Sequence, residues 1–214
     1  MEINKKELKE QEVRTMFITP ALQQKGWAVS VNMREEYYFT DGRVLVVGNQ
    51  HSVAEGKKAD YLLYHNGKPI AVVEAKDNKH AVGGGIQQAM DYAQILDLKF
   101  AYSSNGDAFL EHDFITGKET EIKLEEFPTE EELYNRYLAS KSYTSEELNI
   151  IETPFYYDAH SHEPRYYQRI AVDRTVEAIA RGQQRVLVVM ATGTGKTFLS
   201  LIHISEPTRH AQIS

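Results

Sequence analysis

Asp60, Glu74 and Lys76 are the residues of this chain whose types and spacing could do chemistry. Glu74 and Lys76 stand two apart, so in an extended strand both side chains leave on one face. Between Asp60 and Glu74 lie two apolar runs, Tyr61 to Tyr64 and Ile70 to Val73, separated by Asn66-Gly67. That dipeptide most readily supplies the two positive φ values of a tight hairpin. Folding the second run back beside the first brings Asp60 to the 74–76 end. Two carboxylates and an ammonium then meet at the rim of an apolar sheet, which is costly unless something compensates them. Paired carboxylates suit Mg2+ or Mn2+ far better than zinc, with the carbonyl of Ala75 as a further ligand. Such a cation lowers the pKa of a bound water and stabilises charge on phosphate oxygens, while a neighbouring lysine orients or deprotonates the water or offsets charge. These parts suffice for phosphodiester hydrolysis without a covalent intermediate. The plain alternative is a surface hairpin with ordinary charged ends.

A second stretch, ATGTGKT at 191–197, follows the apolar run RVLVVM at 185–190. The run predicts a strand buried on both sides. Backbone N–H groups of the turn at Gly193, Thr194 and Gly195 suit a phosphate, Lys196 reaches the β and γ phosphates of a nucleotide, and Thr197 is placed to ligate Mg2+. Met190 stands where the strict phosphate-loop pattern has its first glycine. The triplet Gly83, Gly84 and Gly85 lacks the lysine and hydroxyl that would follow, so it predicts a flexible or close-approach turn.

The elements that must position these residues follow from periodicity. Residues 3–25 predict a helix, with Leu8, Val13, Met16, Phe17, Ala21 and Leu22 apolar and Glu10, Glu12 and Arg14 on the polar side. Gly26 fits its end, and Pro20 marks a kink or a boundary between two shorter helices. Trp27 to Val31 reads as a strand, 34–42 as a segment turning at Asp41-Gly42, 43–47 as a short strand and 48–58 as a loop. Residues 86–96 predict a helix with the stripe Ile86, Ala89, Met90, Ala93 and Leu96. Gln88 and Tyr92, four apart, share a face of it. Phe100 to Ser103 and Ala108 to Leu110 read as strands about a turn at Asn105-Gly106. Beyond Thr116 the pattern weakens, with short helices over 129–139 and from Ser145, and 165–181 is helical again.

Composition narrows the classes. The chain has 214 residues, 42% hydrophobic and 26% charged, enough for a core. A net charge of −7 argues against a basic surface that grips nucleic acid everywhere, though not against a local groove or a partner subunit that holds it. With no cysteine there is no disulfide or zinc-thiolate site. The opening MEINKKELKEQEV lacks the apolar core of a signal peptide, and a cytoplasmic protein is expected.

Asp60, Glu74 and Lys76, in the context ADYLLYHNGKPIAVVEAK, resemble the PD-(D/E)xK nuclease core, and Gln88 to Ala93 resembles the QxxxY element of RecB-like nucleases. More narrowly, the stretch 8–110, with its opening EVRTMFITPALQQKGW, is similar to the N-terminal endonuclease domain of the restriction (HsdR) subunit of type I restriction enzymes. Ala59 replaces the proline that often precedes the family aspartate. The resemblance implies Mg2+ on Asp60 and Glu74, a hydrolytic role for Lys76, and Gln88 and Tyr92 touching DNA or bracing the site. It also implies a helical glutamate, Glu10 with Glu12 as the alternative; a solvated helix charge is the plain reading of either. AxxGxGKT resembles motif I of superfamily 2 helicases and translocases, and Arg165 to Arg169 their adenine-contacting segment, with Gln168 as the candidate.

The expected fold is therefore α/β. A PD-(D/E)xK core with a mixed central sheet flanked by helices occupies 1–120 and a helical or irregular connector 121–160. The first helix, strand and phosphate loop of an incomplete RecA-like domain fill 161–200, and 201–214 is a non-native or truncated tail, because Ser205-Glu-Pro207 interrupts the expected helix. The 17 residues after Thr197 (214 − 197) hold no Walker B carboxylate, so a complete ATPase is not expected and RVLVVM should lack sheet neighbours. The family implies double-stranded DNA cleavage after ATP-driven translocation. It also implies modification (M) and specificity (S) subunits as partners, with S-adenosylmethionine entering only through the modification subunit. A stand-alone nuclease–helicase of repair or phage defence, and a non-catalytic DNA-binding or scaffolding module, are the competing expectations.

Overall fold

The structure, a computed structural model, describes residues 4–40, 44–47, 50–53, 56–153, 164–191 and 193–196, and for 44–53 the backbone alone. The chain divides into two units, Met1–Ser142 and Tyr143–Ser214.

The first unit opens with a 3-10 turn (Lys5–Glu7) and then α1 (Glu10–Val13), a π-helical turn (Arg14–Ile18) and α2 (Thr19–Gln24). The expected single helix over 3–25 is thus broken in the middle. Pro20 has no N–H for the carbonyl of Met16, and the chain widens one turn so that the Thr19 N–H reaches the Arg14 carbonyl instead. The buried face of the segment runs through Val13, Ile18, Ala21 and Leu22, and Arg14, four residues before Ile18, falls on it. Arg14, expected on the polar side, is buried, and Met16, expected in the apolar stripe, is 42% exposed. Gly26 ends the segment at φ 87°.

Six strands form the main sheet: β1 (Met33–Phe39), β4 (Lys57–His65), β5 (Lys68–Ala75), β6 (Phe100–Ser104), β7 (Ala108–Asp113) and β8 (Lys118–Lys123), in the order β1-β4-β5-β6-β7-β8. β2 (Val44–Val47) and β3 (Gln50–Val53) pair separately. Neighbours are antiparallel except β5 and β6, which run parallel and need a crossover. α3 (Ile86–Leu96) supplies it. Asn66 and Gly67 turn β4 into β5 with φ 46° and 77°, as expected.

Three other sequence expectations fail locally. Trp27 to Val31 is not a strand: Ser30 takes φ 66°, and the carbonyl of Ala28 accepts N–H bonds from Val31, Asn32 and Met33, closing a turn. β1 occupies 33–39, where only a turning segment was expected, and β3 with the start of β4 occupies part of the expected loop 48–58. The turn expected at Asp41-Gly42 lies outside the described residues.

One face of the sheet presents Tyr61, Leu63, Ala71, Val73, Phe100, Tyr102 and Phe109 to Val13, Ile18, Leu22 and Trp27. Phe127 and Leu133 join that core, the latter from α4 (Glu130–Lys141), which Thr129 and Glu132 cap reciprocally. Arg136 of α4 grips Glu111 and Asp113 of β7 at 2.7 and 2.9 Å, and Glu111 also accepts the buried Tyr102 hydroxyl. β8 and α4 therefore belong to the same folded body as the hairpin, although their sequence pattern is weak. On the other face, α3 packs through Ala89, Ala93 and Leu96.

Gly106, at φ 85°, tests how tightly α1 seats on this body, because a Cβ there would meet Val13 Cγ1 at 2.7 Å. Gly106→Ala is expected to destabilise the unit by roughly 2–4 kcal/mol through backbone strain plus overpacking. Urea denaturation followed by the fluorescence of Trp27, the sole tryptophan and fully buried, checks this.

In the second unit α5 (Ser145–Ile151) and α6 (Tyr166–Ala180) pack together, and Gly182 ends α6 at φ 81°. Residues 185–190 do not form the expected buried strand: Leu187 is 88% exposed, and no described residue of this unit is in a strand. A parallel strand takes its hydrogen bonds from neighbours, and among the described residues none stands beside RVLVVM, the lack of neighbours expected for it.

Candidate active site

The hairpin does more than bring Asp60 near Glu74. The β4–β5 ladder ends at Tyr61–Val73, and past that pair the carboxylates take over the backbone's partners. The Asp60 N–H donates to Glu74 Oε1 at 3.3 Å, and the Ala75 N–H donates to Asp60 Oδ2 at 2.8 Å. Each acid is thus fixed by the other's strand, and both are buried.

Lys76 follows β5. Its backbone N–H is held by the Ser104 carbonyl, and its ammonium lies 3.9 Å from Glu74 Oε2 and donates to Gln88 Oε1 at 3.1 Å. The Gln88 amide in turn donates to the Tyr92 hydroxyl at 3.0 Å. The four-residue spacing of Gln88 and Tyr92 therefore builds a relay from α3 to the lysine, and Phe39 packs edge-on against Tyr92. The Gly83–Gly85 turn makes the approach possible. A Cβ on Gly85 would sit 3.0 Å from Ser103 Oγ, 3.2 Å from Glu74 Cβ and 3.3 Å from Lys76 Cε. This is the close-approach role expected of the triplet.

Burial pushes the Glu74 carboxyl up to about 8, and the Asp60 charge adds to the push. Lys76 and the Asp60 N–H pull the other way, and Glu10 contributes a smaller push. Glu10 is exposed on α1, while the alternative, Glu12, is committed to capping that helix through the Lys9 N–H.

A buried carboxyl that resists ionisation beside a second carboxylate is a charge arrangement that a bound cation would relieve. No described cluster of three or more acidic or histidine side chains could cage one. The pair instead fits Mg2+, which keeps several waters and binds through one or two carboxylates plus substrate phosphate.

Sequence reasoning missed three residues here. Arg14 reaches Asp60 Oδ1 at 3.3 Å, and Glu36 of β1 reaches Arg14 at 3.2 Å. Ser103 Oγ accepts the Gly85 N–H at 2.9 Å and donates to the Val82 carbonyl, pinning the turn before α3. One signal was present for Arg14: it precedes Ile18, Ala21 and Leu22 at the i+4, i+7 and i+8 spacing of an apolar stripe.

The family model of the type I restriction enzyme R protein N terminus matches residues 7–120, just over half of the chain. The chain belongs to this family. A model of the res subunit of type III restriction enzymes matches residues 161–214. The endonuclease subunit of type I restriction enzyme EcoAI from Escherichia coli is 41% identical over 92% of this chain and 25% of its own length. That of EcoKI from Escherichia coli strain K12 is 27% identical over 89% of this chain and 20% of its own. A solved fragment described as an HsdR subunit of a type I restriction enzyme from Vibrio vulnificus YJ016 superposes with a TM-score of 0.75 at 44% identity, over 90% of this chain and 36% of that one. The chain thus spans a quarter or less of the curated relatives, and its mixed sheet flanked by helices is the PD-(D/E)xK-like core expected of the restriction subunit's N-terminal part.

In the second unit Gly193 and Gly195 both take φ 79°, the tight path expected of a phosphate loop. Lys196 Nζ donates to the Met190 and Ala191 carbonyls at 3.1 and 3.5 Å, and Thr194 Oγ1 donates to the Ala191 carbonyl. Gln168 is 4% exposed rather than a surface side chain. Its Oε1 accepts the Arg165 N–H and its amide donates to the Thr194 carbonyl at 3.0 Å, tying the start of α6 to the loop. Thr197 and residues 201–214 lie outside the described residues. No helix among the described residues is long and apolar enough to cross a membrane.

Proposed function

We propose that this chain carries the Mg2+-dependent double-stranded DNA endonuclease of a type I restriction subunit, together with the start of the ATP-driven translocase to which cleavage is coupled in the intact protein. The reciprocal clamp between Asp60 and Glu74, with Lys76 held over it by Gln88, carries the reading. Asp60 and Glu74 would hold the cation, which when bound supplies an acidified water and charge stabilisation at the phosphate. Lys76, with one proton committed to Gln88, keeps two donors for the water or a phosphate oxygen. Tyr92 fixes the amide orientation of Gln88 that makes this aim possible. Glu10 stands as the helical acid at the rim. Gly193, Thr194, Gly195, Lys196 and Thr197 would bind the phosphates and Mg2+ of ATP, with Gln168 reading the adenine. Modification and specificity subunits, S-adenosylmethionine held by the former, and a cytoplasmic setting complete the same proposal.

The test is nicking or linearisation of plasmid DNA by the purified chain with Mg2+, and its loss with EDTA. Gln88→Ala is expected to slow cleavage about 10- to 100-fold by letting the Lys76 ammonium wander, with DNA affinity unchanged. Single-turnover rates and a filter-binding assay separate the two quantities, and an unaltered rate would remove Gln88 from the site.

A further inference from the structure

We propose that Arg14 is a positioning residue of this site, fixing the Asp60 carboxylate in the orientation that a divalent cation needs; the proposal rests on the nuclease reading above. Arg14 is 4% exposed, and its guanidinium lies 5.0 Å from the centre of the Tyr61 ring. Nη1 lies 3.3 Å from Asp60 Oδ1, and Nη2 donates to the Asp60 carbonyl at 3.5 Å. Nε donates to the Tyr61 hydroxyl at 3.4 Å, and Nη1 also reaches Glu36 Oε1 at 3.2 Å and Gln11 Oε1 at 3.4 Å. Asp60 is therefore held at both oxygens, by Arg14 on Oδ1 and by the Ala75 N–H on Oδ2.

The edge strand is irregular opposite Asp60. Glu35 pairs with Tyr61 and Tyr37 with Ala59, which leaves Glu36 across from Asp60. Glu36 sits there in the left-handed region at φ 51°, a conformation that costs a glutamate free energy and persists only where its surroundings impose it. Its carboxylate goes to Arg14 and to Lys58, 3.3 Å away.

A buried arginine facing a metal-binding acid could instead be a rival that leaves when the metal arrives. The anchoring argues against that role. Acceptors on α1, β1 and β4 hold the guanidinium, and withdrawing it would strand a buried charge. Each carboxylate oxygen has a second lone pair, so Oδ1 serves Arg14 and a cation together. Lysine, a point charge without the planar fork, cannot span these acceptors.

Calorimetric titration of the metal-stripped full chain with Mn2+ tests the assignment, with Glu74→Gln identifying the site. Arg14→Gln is expected to weaken Mn2+ binding by about 10- to 100-fold, as loss of a residue that orients a ligand does. Arg14→Lys should recover part of that loss. A folded Arg14→Gln chain with wild-type Mn2+ affinity would show that the arginine only braces helix against sheet, and the proposal would be wrong. If Arg14→Gln fails to fold by Trp27 fluorescence, Arg14→Lys decides by the same criterion. Absence of Mn2+ binding by the parent chain would instead overturn the nuclease reading itself.

Discussion

Glu74→Gln is expected to abolish Mg2+-dependent cleavage, by on the order of 1,000-fold or more, while leaving the fold as stable as before or more so. The two halves of that result have one cause. Glu74 is 1% exposed, and burial is the main reason its carboxyl resists ionisation. An amide of the same shape removes the charge that the cation needs and the charge that the fold resists. The substituted side chain keeps an oxygen for the Asp60 N–H, so the clamp geometry survives. Lys76→Ala should lose a comparable share of activity by another route, since the ammonium is 3.9 Å from Glu74 and aims at the same space. Plasmid cleavage paired with urea denaturation reads both quantities. A Glu74→Gln chain that cuts at the parent rate would sink the nuclease proposal, whereas one that is inactive because it is unfolded would contradict the electrostatic account of the site.

Much of this was legible because the informative residues are local. Asn66-Gly67 fixes a two-residue turn, and the turn fixes which residues meet. Gln88 and Tyr92 share a helix face by spacing alone, and their mutual hydrogen bond follows. What escaped was whatever depends on partners distant in sequence. The burial of Arg14 as a paired charge hangs on acceptors 22 to 47 positions away. β8 reads KETEIK, with five of its six residues exposed, so no periodicity marks it as a strand; only pairing with β7 does. RVLVVM shows the reverse case: the lack of neighbours was legible, but not that the strand itself would fail to form without them. Its composition demands a sheet, but composition cannot supply the neighbours that make one.

In metal-free buffer the first unit is expected to lose stability as pH rises from about 5 to about 8, and Mg2+ is expected to restore it. The folded-state pKa of Glu74 lies near 8, above the usual carboxyl value of 4.5. Between those values the folded chain holds a proton that the unfolded chain has released, so each step up in pH favours unfolding. The contribution is fully present below pH 4.5, declines through the interval and is gone above about 8. One proton gives a slope of roughly 1.4 kcal/mol per pH unit, and the interval amounts to on the order of 3–5 kcal/mol. A cation at Asp60 and Glu74 replaces the proton, so saturating Mg2+ should flatten the slope and raise stability most at the alkaline end. Glu74→Gln should flatten it without metal. Trp27 fluorescence in urea series at several pH values, with EDTA or with Mg2+, gives the four curves. A parent chain whose slope ignores Mg2+ would mean that the proton and the cation do not share a site.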